Sequence, residues 1–190
     1  TIPHGSIGYE VNGKKITNSN PFVTTVGRWV FNIFFIFADP SIAAVTGYIN
    51  EDELEIPNGY LLKKTYVGKH MKNYDSCLVL SHFKGHGSGG YGGALKQLSI
   101  GFGSTAGKCL QHTGGQSTDT NDFRTKRCGA SEFKEAMADA ASAVVKFFKG
   151  NMAFINLMVN ISLDCDCDGN ARPPIMADIG ILSSTDPVNR

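Results

Sequence analysis

The chain has 190 residues, is 42% apolar and carries a formal net charge of +1. That excludes a disordered chain and a strongly basic nucleic-acid binder, and the length suffices to bury a core without disulfide or metal staples. Charged residues make up only 18%, below the roughly 25% usual in soluble domains. Gly, in contrast, reaches 22 residues, so many backbone positions turn tightly or approach something closely.

In chain order, residues 7–11 and 14–17 flank Asn12-Gly13. Asn-Gly supplies the two φ > 0 positions of a tight turn, so this stretch predicts a β-hairpin. Residues 29–38 are the longest apolar run. They fall well short of the roughly 20 residues that cross a bilayer and read as a buried strand or helix. Residues 50–59 hold Glu51, Asp52, Glu53 and Glu55 before Pro57-Asn58-Gly59, the composition of a solvated loop or short strand closed by a turn. Lys63, Lys64, Lys69 and Lys72 read as a solvated basic face.

Residues 76–81 form a short continuous apolar run that ends directly on His82, the pattern of a strand buried on both faces. Side chains just past the carboxyl end of a parallel strand face the crevice where open α/β sheets bind ligands. A helix is expected from Ser131, a plausible N-cap, to a stop at Gly150, with Glu132 and Glu135 suiting its positive end and Lys146 and Lys149 its negative one. Phe133, Ala136, Met137, Ala140, Ala141, Val144, Val145 and Phe148 repeat at three- and four-residue steps and form its core stripe. Residues 152–161 and 179–182 read as two further strands, so strand, helix and strand predict a right-handed βαβ crossover.

The expected fold class is therefore α/β, a mostly parallel sheet with βαβ crossovers and a small N-terminal β-hairpin. Residues 1–48 are read as an atypical N-terminal segment and residues 49–190 as the core. Its C-terminal boundary falls just after a strand, where a covering helix is expected, as in a truncated domain. Five cysteines (Cys77, Cys109, Cys128, Cys165, Cys167) at irregular spacings fit a reducing cytoplasm. Residues 1–28 show no charged region leading into an apolar run and cleavage site, and a cytoplasmic location is the expectation.

Two segments hold candidate chemistry. Between Ser76 and Thr118 there is no Asp or Glu, yet His82, His86, His112, Lys84, Lys96 and Lys108 all lie there, together with Gly92-Gly93. Glycines let backbone N–H groups converge on a phosphate or carboxylate, and lysines add point charge, so this window is read as an anion site. The P-loop and the dinucleotide-binding glycine pattern are both missing, so neither ATP nor NAD is implied. The second segment is Asp164-Cys165-Asp166-Cys167-Asp168, two thiols and three carboxylates in five positions. Cys-x-Cys suits a soft metal, although a closed site needs four ligands. Asp178 and Asp186, flanking the last strand, are read either as lining the same crevice or as turn formers.

The residues 82–96, Asp164-Cys165-Asp166-Cys167 and residues 178–188 together resemble an uncharacterised domain-of-unknown-function family numbered 362, over residues 53–188. Many proteins of that family carry a ferredoxin-type module, so the resemblance implies an iron–sulfur association. The stretch from His86 through Gly92-Gly93-Ala94-Leu95-Lys96 to His112-Thr113 also resembles the nickel-pincer lactate racemase family. That second resemblance implies that Lys96 holds a pyridinium-derived nickel-pincer cofactor, that His112 ligates its metal and that His86 is a general base.

Two functions follow as expectations. The first is a metal- or cofactor-dependent enzyme, racemase- or oxidoreductase-like, acting on a small anionic molecule through His86, Lys96 and His112. Ligand-binding roles then fall to His82, Lys84, Gly92, Gly93, Lys108 and Asp178. The second is a non-catalytic accessory module in which Cys165 and Cys167 share an iron–sulfur or other metal site with a ferredoxin-like partner. A folded fragment with an incomplete site, and a homo-oligomer, are also open at this point, whereas nucleic acid and membrane are not expected partners.

Overall fold

A computed structural model describes residues 8–11, 14–17, 51–165 and 172–188, with His70 by its backbone alone. The apolar run 29–38, most of the N-terminal segment 1–48, and Asp166, Cys167 and Asp168 lie outside the described residues. Strands β1 (Gly8–Val11) and β2 (Lys14–Thr17) pair antiparallel with Val11 opposite Lys14, as expected of the hairpin. A second hairpin joins β3 (Glu51–Glu55) to β4 (Lys64–Gly68). Its Glu53 pairs with Lys64 at 2.8 Å and its Asp52 with Lys72, beyond the hairpin, at 3.4 Å, and its Thr65 and Val67 are buried.

After a 3-10 turn (Lys69–Asn73) come β5 (Cys77–His82) and the short hairpin β6 (Lys84–His86) and β7 (Gly90–Gly92). Helix α1 (Ala94–Lys96) runs on into a π segment (Gln97–Gly101), followed by α2 (Thr105–His112), α3 (Asp122–Thr125) and α4 (Ala130–Phe147). Strands β8 (Met152–Met158) and β9 (Gly180–Ser184) complete a three-stranded sheet of order β5-β8-β9.

Only β5 and β8 run parallel among the described strand pairs, which corrects the expectation of a mostly parallel sheet. A parallel return needs a long crossover, and the segment with α1 to α4 supplies one between β5 and β8. After β8 Asn160 takes φ 51°, a left-handed conformation that Asn tolerates. Asp178 accepts the Asn160 N–H at 2.8 Å, and the bonds of Ile179 N–H to Met158 and Ile175 N–H to Ile161 carry the antiparallel pairing on past it, so the returning chain lies beside β8 and β9 runs antiparallel. The fold is thus mixed α/β. Strand β5 is also deeply buried on one face only: Val79 and Ser81 are buried, while Leu78 and Leu80 are half-buried.

Helix α4 begins one residue before Ser131, with Gly129 at the cap position and no side-chain cap bond. The chain is set up for this by the Cys128 N–H bond to the His112 carbonyl at 3.0 Å, which brings Gly129 in extended. The helix ends as expected before Gly150, at φ 81°. Its Asp139 carboxylate accepts three backbone N–H groups from the β3–β4 connection: Tyr60 at 2.9 Å and Leu61 and Leu62 at 2.7 Å each. These charge-assisted bonds tie residues nearly 80 positions apart. Asp139→Ala is expected to lower the unfolding free energy by about 3 kcal/mol in a urea titration, and Asp139→Asn by less, because one acceptor oxygen survives.

Candidate functional site

The β6–β7 hairpin carries the first candidate. Lys84 pairs with Gly92 and His86 with Gly90, leaving a three-residue loop whose closure places Gly90 at φ 80°, a glycine conformation. Within that loop the Gly89 N–H donates to His86 Nδ1 at 2.8 Å. A neutral His86 ring therefore carries its proton on Nε2. Lys84 is buried and its side chain lies across Gly92, where an added Cβ would come within 2.9 Å of Lys84 Cε. The Gly85 N–H bonds the Ser162 carbonyl at 2.8 Å, and a Cβ on Gly85 would meet the Leu163 carbonyl oxygen. The hairpin consequently lies flush on the segment that leads from β8 to Cys165.

The second candidate, Lys96, is set by a polar residue in the middle of an apolar strand. Asn156 of β8 accepts the Ala94 N–H at 3.0 Å through Oδ1, which anchors the start of α1 against the sheet. Gly93 allows this approach, since a Cβ there would stand 3.1 Å from the same oxygen. One turn on, Lys96 Nζ lies 3.4 Å from the Cys165 thiol. The helix then widens: Ser99 Oγ donates to the Leu95 carbonyl at 2.9 Å, and Phe102 N–H reaches back five residues to Gln97. Such π turns recur at functional sites.

His112, the third candidate, ends α2. Its Nδ1 donates to the Lys108 carbonyl at 2.7 Å, so the Nε2 lone pair is left for another partner. The ring packs between Phe123 at 4.6 Å and Phe133 at 4.7 Å. Burial pulls its pKa down to about 4; the Lys108 carbonyl opposes this, and the positive charges of Arg127, His86 and Lys96 reinforce it. His112 is thus a neutral base at pH 7, with the cations Arg127 and Lys96 nearby.

Phe133, 2% exposed, also stacks on His86 at 6.2 Å and 20°. The fold therefore brings His86 and His112 onto one ring, with Lys96 close enough for its charge to act on His112. It engages the other named residues elsewhere. His82 lies on the opposite sheet face from Val79 and Ser81, with Nε2 2.7 Å from the Val159 carbonyl. Lys108 donates to the Gly103 carbonyl, and burial brings its ammonium down to about 8. Asp178 holds the Asn160 turn, Gly92 and Gly93 serve close packing, and Asp164 is taken by Arg172, whose guanidinium holds its carboxyl down to about 2. Cys165 is buried, Cys167 lies outside the described residues, and no three His, Cys, Asp or Glu among the described residues come together to hold a metal.

Sequence reasoning missed Asn156, Phe123 and Arg127, and read Phe133 as core alone. Asn156 had a signal, a lone polar side chain within the apolar strand Met152–Met158. Phe123 and Arg127 had none. The family described as "Domain of unknown function (DUF362)" matches residues 36–189. No curated protein and no solved structure matches the chain, so the similarity of residues 86–113 to the nickel-pincer lactate racemases rests on those residues alone. No helix among the described residues is long and apolar enough to cross a membrane.

The His112 shift sets an acid limb on stability. Between about pH 6.5 and 4 the unfolded chain binds a proton that the folded ring refuses, so stability falls on acidification, by about 3 kcal/mol at most. Urea midpoints measured from pH 7 to 4.5 are expected to drop accordingly, and to drop less in His112→Gln. Lys108 acts with the same sign at the other end: its amine refuses a proton above about pH 8 that the unfolded chain keeps to about 10.5, so stability rises with pH over that range.

Proposed function

Because the chain belongs to the DUF362 family, for which no activity is described, we propose its function from its site: a metal- or cofactor-dependent enzyme acting on a small anionic substrate through His86, Lys96 and His112. One observation carries this reading. Two of the three side chains, His86 from a hairpin and His112 from a helix end, pack on a single buried ring, Phe133, and Lys96 acts electrostatically on the same His112, in a region whose own segment lacks acidic residues.

Each residue then has a chemistry. A histidine that donates through Nδ1 to a backbone carbonyl, with Nε2 free, is oriented as metal-ligating histidines are. The resemblance of residues 86–113 to the nickel-pincer lactate racemases is what points to a metal carried by an organic group of that kind. Such a group, when bound, supplies a hydride or electron sink. Lys96 supplies an amine for attaching it or a charge for an anion. His86, with Nδ1 occupied by the Gly89 amide, presents Nε2–H to the site as a hydrogen-bond donor, and it serves as the general base once that amide bond is released and Nδ1 is freed to take a proton. The reaction class is proton or hydride movement on a small carboxylate or phosphate. The accessory-module reading has less support, because the Cys165 thiol is buried against Lys96 rather than turned toward a partner's metal.

Elemental analysis of the purified protein, with intact-mass measurement, tests this. Near-stoichiometric nickel, iron or zinc is expected, reduced at least tenfold in His112→Ala, together with any covalent adduct mapping to Lys96. If all three metals are missing and His112→Ala leaves carboxylate binding untouched, the reading fails.

A further inference from the structure

Glycine-rich segments recognise phosphate through convergent backbone N–H groups, and residues 82–96 have the composition for it. In the folded chain three of those amides are already engaged. Gly85 N–H is bonded to Ser162, Gly89 N–H to His86 Nδ1 and Ala94 N–H to Asn156 Oδ1. Anion recognition therefore passes to side chains, and one side chain outside the three assigned residues is placed for it.

Arg127 closes a circuit of contacts around the site. Its guanidinium reaches Ser88, in the loop that carries His86, at 3.5 Å, and lies 5.8 Å from the centre of the Phe123 ring. Phe123 packs on His112, His112 on Phe133, and Phe133 on His86, which returns to the Ser88 loop. The Cys128 N–H bond to the His112 carbonyl fixes the backbone beside Arg127. Arg127 is exposed at the rim, His112 and Phe133 are buried, and among the described residues no carboxylate pairs with the guanidinium.

We propose that Arg127 determines substrate class at this site by receiving a carboxylate in its planar fork, so that the substrate is a small carboxylic acid rather than a phosphate. The inference rests on the three-residue reading above and narrows it. A guanidinium fork meets both oxygens of a carboxylate in one plane. Beside the guanidinium stand the apolar Phe123 ring and one hydroxyl, Ser88, which suit the two coplanar oxygens and flat remainder of a carboxylate better than the further oxygens of a phosphate.

Isothermal titration with benzoate and with inorganic phosphate, on the full chain loaded with whatever group it retains on purification, decides this. Benzoate is expected to bind at least tenfold tighter than phosphate. Arg127→Lys, which keeps the charge and loses the fork, weakens benzoate at least tenfold without moving the thermal midpoint, and Arg127→Gln weakens it at least as much. Phosphate binding equally or more tightly overturns the proposal. So does benzoate binding within twofold of wild type in Arg127→Lys. If that result comes with benzoate lost in Lys96→Met, the three-residue site stands and only the Arg127 assignment falls. If neither anion binds the wild-type chain, both readings fall together.

Discussion

Helix α4 buries side chains around most of its circumference, and each face meets a different neighbour. Ala141, Val144 and Phe148 join Val79, Leu98 and Phe154 under the sheet; Ala136, Ala140 and Ala143 join Ile56, Leu62 and Leu110; Phe133 and Met137 join Ile100. Large side chains go to the sheet and small ones to the β3–β4 connection, where alanines let the backbone come close enough for Asp139 to collect three N–H groups. Truncating a buried Phe of this kind costs about 3–5 kcal/mol. The site depends on this burial directly, because the first turn of the same helix provides Phe133, the ring that both histidines touch.

Electrostatics within the site follow from what is missing around it. The segment that supplies His86, Lys96 and His112 has no acidic residue, so positive charges accumulate without local neutralisation. Burial and the charges of Arg127, His86 and Lys96 act in the same direction on His112 and keep it neutral, with its lone pair available. A bound anion offsets that repulsion, and it does so in a low-dielectric setting where the interaction is stronger than in water. Asp164, of the neighbouring Cys165 segment, is held by Arg172 and does not compete.

The glycines acquire a different meaning once folded. From composition they suggest a backbone cradle for phosphate. In the structure they permit approach: Gly85 against Leu163, Gly92 beneath Lys84, Gly93 against Asn156. Only at Gly90 in this segment is a positive φ needed, to turn the hairpin that aims His86. The consequence for function is a shift from amide recognition to side-chain recognition, which moves attention to Arg127.

Local chemistry determined several elements from the sequence alone. The Asn12-Gly13 hairpin, the acidic strand closed at Pro57-Asn58-Gly59, the strands beginning near Cys77 and Met152 and the helix ending before Gly150 each depend on residues within a few positions of one another. His86, Lys96 and His112 were named as candidates by an order and spacing that resemble the racemase motif. Tertiary structure decided the rest. Whether β9 ran parallel or antiparallel depended on how the returning residues 175–179 paired with 158–161, and the helices α1 and α2 formed in a glycine-rich stretch because Asn156 and α4 pack against it. Phe123, Arg127 and Phe133 joined the site by contacts across the fold. Such convergence leaves no periodicity or spacing in the chain, because it is set by how whole elements pack and not by the preferences of neighbouring residues.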